Sequence, residues 1–216
     1  MRSILCYGDS NTWGAATVAR PDNRYAPNER WPGVLRAALG ADWLVIEEGL
    51  GGRTTVSDDP VEWNPDKNGA RFLPVCLHTH KRLDVVAIML GTNDLKARFG
   101  KTPWEVAQGV GVLVDLVKMA GAGPSGGTPE IIVMCPPVIL DQLPLHPDLF
   151  AGAPAKSREI AARYRAVAAE RGVRFLDVAS VAVSSKVDGF HLDPEAHAAI
   201  GRAIAAEIGK ISFKSP

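Results

Sequence analysis

Residues 3–14, SILCYGDSNTWG, begin as an unbroken apolar run and end in small and polar residues around Ser10. A run without polar alternation suits a strand covered on both faces, and the Gly-Asp-Ser after it marks the turn out of its carboxyl end. Four similar runs follow: WLVIE (43–47), DVVAIML (84–90), EIIVMC (130–135) and VRFLDV (173–178). Strands buried on both faces belong to parallel sheets sandwiched between helices.

The segments between them supply those helices. RWPGVLRAALG (30–40) has helical apolar spacing and ends in Gly. Residues 102–123 open on Thr102 and Pro103, an N-cap and first-turn pair, and close in glycines. AKSREIAARYRAVAAERG (155–172) and DPEAHAAIGRAIAAEIGK (193–210) are two more, the second capped by Asp193 with Pro194 behind it. The alternation predicts an α/β fold: a three-layer α/β/α sandwich of about five parallel strands, doubly wound and flavodoxin-like. Three irregular stretches, 11–30, 51–72 and 136–155, are too long for plain connections, and such loops are usually functional.

Composition narrows the function. A chain of 216 residues, 46% hydrophobic, fits one domain over 1–216 with a sizeable core. The 24 basic and 24 acidic residues cancel, and no Lys/Arg-rich run is present to neutralise phosphates. Neither nucleic acid nor a membrane surface is expected as partner. The first apolar run is too short for a signal-peptide core, and no stretch approaches the ~20 apolar residues of a membrane span. Cys6, Cys76 and Cys135 are odd in number and lack CxxC spacing, which suggests neither a disulfide framework nor a zinc site and points to a reducing cytoplasm.

In open α/β sheets ligands bind beyond the carboxyl ends of the strands, so the residues there carry the functional reading. They are Gly8-Asp9-Ser10; the glycines 49, 51 and 52 of EEGLGGRTT; Gly91-Thr92-Asn93-Asp94; and Asp188-Gly189-Phe190-His191. Together they are the parts for acyl transfer. A serine hydroxyl needs a base to remove its proton, which a histidine does at neutral pH, and an acid on the other ring nitrogen fixes the tautomer. The Ser10 amide, the Gly52 amide and the Asn93 side chain would receive the oxyanion. Each block alone is equally an ordinary turn or cap; it is their placement at successive strand ends that favours the chemical reading.

These four blocks, in this order and spread over nearly the whole chain, resemble the SGNH (GDSL-type) hydrolases. GDSNTWG, RWPGVL, EEGLGGRTT and IMLGTND resemble the bacterial arylesterase and acyltransferase branch. The resemblance implies a Ser10, His191, Asp188 triad and an oxyanion hole of Ser10, Gly52 and Asn93. It also implies a serine esterase of short-chain acyl esters, with acyl transfer to alcohols or peroxide, no cofactor or metal, and a homo-oligomer. A carbohydrate O-acetylesterase and a non-catalytic binding module are the alternatives. Asn11 stands where the family pattern has Leu, which alters the pocket floor; a backbone donor at 52 tolerates Gly or Ala.

Asn11, Trp13 and Phe190 are taken as the substrate pocket, and Trp31 as a further aromatic wall or a core residue. Cys76, His78 and His80 complete no common metal pattern. His146 is assigned to a loop, His197 to the surface of the last helix, Arg53 to a structural salt bridge, and Asp9 and Asp94 to turns or caps. The 136–155 segment is expected to expose Ile, Leu and Phe as a lid or a subunit contact.

Overall fold

The computed structural model describes residues 1–213. Five strands form one sheet: β1 (Arg2–Gly8), β2 (Trp43–Gly49), β3 (Val85–Met89), β4 (Glu130–Cys135) and β5 (Arg174–Asp177). Every pairing is parallel and the order is β2-β1-β3-β4-β5. The expected strands are found within two residues of their limits, because a side chain on either face of a central strand meets a helix.

Alternate residues feed two cores. Leu5 and Tyr7 of β1, Val86 and Ile88 of β3 and Val133 of β4 pack under α3 (Gly69–His80), α4 (Pro103–Met119) and α5 (Ala153–Glu170). Ile4, Cys6, Val85, Ala87 and Met134 face the other way, against α2 (Trp31–Leu39) and α6 (Pro194–Gly209). The layers are therefore helix, sheet, helix. A four-residue helix, α1 (Ser10–Trp13), completes the set at the end of β1. Among the described residues no helix is long and apolar enough to cross a membrane.

Local chemistry sets the helix ends. Thr102 and Glu105 form a reciprocal capping box that satisfies two amides at the start of α4. Asp193 occupies the N-cap of α6 as expected but makes no capping bond; its Oδ1 accepts from Thr17 Oγ1 at 2.5 Å, tying α6 to the first loop. α3 was not located in the sequence. Its first turn, residues 69–72, lies in the stretch read as irregular, and Pro74 stands inside it, yet Leu73, Cys76 and Leu77 have the i, i+3, i+4 spacing of a buried helix face.

The 136–155 segment departs from its expected exposure. Ile139 and Phe150 are buried within the chain, and Leu145 is the large apolar side chain left out, 60% exposed. Proline-rich irregular backbone hid this, because neither period-2 nor period-3.6 patterning applies to it.

Candidate active site

From β1 the chain runs outward on one side to β2 and then crosses to β3 on the other. The carboxyl ends of β1 and β3 thus flank the switch point where an open sheet binds ligands. Ser10 follows β1 and Asn93 follows β3. Asp9 caps α1 through its Oδ1, which accepts the Asn11 amide at 3.0 Å. Ser10 is the first helical residue, where a backbone N–H has no intrahelical acceptor. α1 lies so close to β2 that a Cβ at Gly49 would fall 2.1 Å from the Trp13 nitrogen, so only glycine fits there.

The Ser10 Oγ is 2.9 Å from His191 Nε2, and His191 Nδ1 is 2.6 Å from Asp188 Oδ2. Asp188 Oδ1 accepts the amides of Phe190 and His191 at 3.0 and 2.9 Å. Burial pushes the Asp188 carboxyl up, but the His191 hydrogen bond and charge and these amides outweigh it and hold it below its ordinary range. An ionised Asp188 accepts the Nδ1 proton, which leaves Nε2 as the acceptor for the Ser10 hydroxyl.

His191 reaches Ser10 from a distance. β5 is an edge strand separated from β1 by β3 and β4, a step of about 14 Å at the ordinary strand spacing. The loop after β5 returns across the sheet on the segment that follows β4. Ser184 Oγ donates to the Val138 carbonyl at 2.8 Å, and the Leu140 amide to the Gly189 carbonyl at 2.8 Å. Asn11 Nδ2 then donates to the Phe190 carbonyl at 3.0 Å.

The glycine turn after β2 is clamped from two sides. Arg53 donates through one guanidinium nitrogen to the carbonyls of Gly8, at 2.8 Å, and Glu48, and lies 4.2 Å over the Tyr7 ring. Asp94, fully buried, accepts the Thr55 amide at 2.8 Å and its hydroxyl at 2.6 Å. Asn93 Nδ2 donates to the Arg53 carbonyl at 3.2 Å and to Asp9 Oδ2 at 3.3 Å. Burial pushes the Asp9 carboxyl up to about 6. Among the described residues the amides of Ser10 and Gly52 have no protein acceptor. A cavity of about 350 Å³ opens over Ser10, with Trp13, Phe150 and Phe190 as its apolar side and Glu62 and Lys96 as its charged one.

Ser10, Asn93, Asp188 and His191 are thus brought together, with Gly52, Trp13 and Phe190 beside them. Other expectations are corrected. Asn11 does not line the cavity; it is buried and serves as the tie to Phe190. Of its two readings Trp31 takes the core one: it is fully buried on the opposite face of the sheet, between α2 and α6. His197 is not a surface residue; it is fully buried, and its Nδ1 accepts the Trp31 amide at 3.2 Å. Arg53 makes no salt bridge among the described residues and holds carbonyls instead. Gly52 has φ +81°, a left-handed conformation that an alanine adopts only under strain.

His78 is exposed on α3 and His80 pairs with Glu48 at 3.0 Å, while Cys76 faces the core, so the three do not converge. Glu62, Lys96 and His146 line the cavity and were not singled out as site residues. Nothing local distinguishes such residues from solvated surface groups, because only the fold turns them inward.

The comparisons with known proteins agree with this architecture. None of the curated proteins compared with the chain matches it. The native aryl esterase of M. smegmatis is 43% identical over 97% of this chain and 99% of its own, with a TM-score of 0.90. Est24, a carbohydrate acetylesterase from Sinorhizobium meliloti, is 38% identical over 97% of this chain and 99% of its own, with a TM-score of 0.88. The GDSL-like lipase/acylhydrolase family model matches residues 6–199, from the middle of β1 into α6. With the family model spanning most of the chain and the two esterases 43% and 38% identical over nearly all of it, the chain belongs to the GDSL-like lipase/acylhydrolase family.

Proposed function

We propose that the chain is a serine esterase that hydrolyses short-chain acyl esters, aryl acetates among them, through an acyl-Ser10 intermediate. His191 Nε2 takes the Ser10 proton as Oγ attacks the ester carbonyl. The oxyanion is received by the amides of Ser10 and Gly52 and by the Asn93 side chain. His191 returns the proton to the leaving alkoxide, and water enters by the reverse sequence. Every proton and charge is handled by the chain's own groups, so the reading calls for no metal or cofactor.

The observation that carries the reading is the Asp188–His191–Ser10 line of hydrogen bonds, 2.6 and 2.9 Å long, ending in a cavity with a large apolar wall. An alcohol or peroxide that outcompetes water there would give acyl transfer. Glu62 and Lys96 on the cavity wall, with the likeness to Est24, favour a carbohydrate O-acetylesterase as the second reading. The same proposal takes residues 1–216 as one cytoplasmic catalytic domain, on the strength of three unpaired, buried cysteines. It takes that domain to be a homo-oligomer, for which Trp63 and Leu145, 69% and 60% exposed, are candidate contacts.

The test is labelling by a fluorophosphonate together with aryl acetate hydrolysis, in wild type and Ser10→Ala. Labelling and turnover that both vanish in the variant support the reading; full hydrolysis by Ser10→Ala overturns it. Relative rates on an aryl acetate and an acetylated sugar separate the two substrate classes.

A further inference from the structure

Glu62 lies in the connection between β2 and α3 and shares the cavity with Ser10. It is held at both ends. Asp59 Oδ1 accepts the amides of Val61 and Glu62, each at 3.0 Å. Glu62 Oε1 accepts from Lys96 Nζ at 2.8 Å and from Arg98 at 2.5 Å, and Arg98 also reaches Asp59 at 2.6 Å. Lys96 and Asp59 are 3% and 4% exposed, so the groups that hold Glu62 are anchored in the interior, while the Glu62 side chain itself is 40% exposed.

The other carboxylate oxygen, Oε2, has no protein donor among the described residues. It lies over the glycine turn, 2.8 Å from where a Cβ on Gly52 would be. Burial pushes the Glu62 carboxyl up, but Lys96 and Arg98 outweigh this and hold it below its ordinary range, so it is ionised at neutral pH. A lone carboxylate beside a developing oxyanion would oppose it; here the two cations offset that charge while leaving one oxygen free. An ionised oxygen facing a cavity takes a hydrogen-bond donor, and such charge-assisted bonds are the strong class. Because the side chain is already fixed, little further ordering is required on binding.

We propose that Glu62 is a specificity-determining residue whose Oε2 accepts a hydrogen bond from a hydroxyl on the ester, so that the site favours hydroxylated esters and rejects those carrying a carboxylate near the carbonyl. The inference rests on the esterase reading of the cavity. It adds a subsite beside the oxyanion hole, selective for the substituents of the substrate rather than for its ester group.

The experiment compares kcat/KM by pH-stat for matched esters on wild type, Glu62→Ala and Glu62→Gln. Glycerol monoacetate against propyl acetate probes the alcohol side, and ethyl 3-hydroxybutyrate against ethyl butyrate the acyl side. Monoethyl succinate against ethyl butyrate probes rejection of charge. In Glu62→Ala the preference for the hydroxylated member falls about tenfold in at least one pair, the effect of losing a bond to a charged acceptor. In Glu62→Gln, which keeps an acceptor for Lys96 and Arg98, the monoethyl succinate ratio rises by a similar factor. Ratios that stay within about twofold of wild type in both variants overturn the proposal. A wild type that cleaves no ester refutes the esterase reading instead. Saturation transfer from Ser10→Ala and Ser10→Ala/Glu62→Ala protein to glycerol monoacetate then decides the subsite, equal signals rejecting it.

Discussion

The side-chain amide of Asn11 donates to the carbonyl of Phe190 at 3.0 Å, joining the residue after Ser10 to the residue before His191 across 179 positions of chain. The bond is buried and crosses between the two segments whose separation sets the Ser10 to His191 distance. Asn11→Leu removes the donor and also removes Asn11 Oδ1, a buried acceptor with no partner among the described residues. The expected result is a fall in kcat/KM of about tenfold, about 1.4 kcal/mol of transition-state stabilisation, carried mainly by kcat. Because one orphaned atom replaces another, denaturant midpoints change much less than the rate. A variant with wild-type kcat would show that Asn11 does not position the pair.

Asp188 holds the Nδ1 proton of His191 at 2.6 Å while two amides hold Asp188. Asp188→Asn presents either a neutral acceptor or an N–H to Nδ1, and the second choice reverses the tautomer. Expected is a loss of kcat on the order of 10³ to 10⁴ with little change in KM, read from aryl acetate kinetics.

Gly52 is set at φ +81°, and a Cβ there would lie 2.8 Å from Glu62 Oε2 and 3.3 Å from Lys67 Cε. Gly52→Ala therefore meets both backbone strain and a contact. A cost of about 1–2 kcal/mol is expected, a drop in Tm of roughly 3–6 °C for a chain of this size. Thermal unfolding measures it, and phosphonate labelling slows in parallel if the 52 amide turns away. An unchanged Tm would show that the turn relaxes freely.

His197 is buried, and its Nδ1 accepts the Trp31 amide, so a second proton would point at a donor. Burial, followed by the charges of His191 and Arg30, pushes its pKa from 6.5 down to about 3. The unfolded chain thus binds the extra proton between those values and the native chain does not. The resulting stability is complete above 6.5 and lost as pH falls towards 3, at about 1.4 kcal/mol per pH unit. His197→Asn keeps an acceptor for Trp31 and removes the titration. Between pH 7 and pH 4 the wild type is expected to lose about 3 kcal/mol more than the variant in denaturant unfolding. Equal losses would refute the assignment. Buried Asp9, whose carboxyl is pushed up to about 6, acts in the opposite direction and cancels in this difference.

Much of the fold can be read locally. Side chains of β1, β3 and β4 are buried on both faces, and a continuous apolar run records that directly. The missing element, α3, carries Pro74 and polar residues in its outer turns, so its three-residue apolar seam is short. Trp31 and His197 illustrate a different limit. Whether an aromatic ring or an imidazole lies in a pocket, in a core or at the surface depends on the helix packed against it, and His197 of α6 meets Trp31 of α2 across 166 positions of chain.

The candidate site divides along the same line. By itself the sequence determined the inventory: a serine, an asparagine and an Asp-x-x-His pair at successive strand ends, in an order that only a parallel sheet places on one edge. That information is local, because glycine, proline and polar punctuation mark where strands stop. Tertiary structure alone decided which neighbours these groups have. The strand order carries His191 back over two strands to Ser10, makes Asn11 a tie rather than a pocket wall, and turns Glu62 and Lys96 into the cavity. Hydrogen bonds between residues 179 and 181 positions apart have no signature in local composition, since their partners meet only after the sheet has formed.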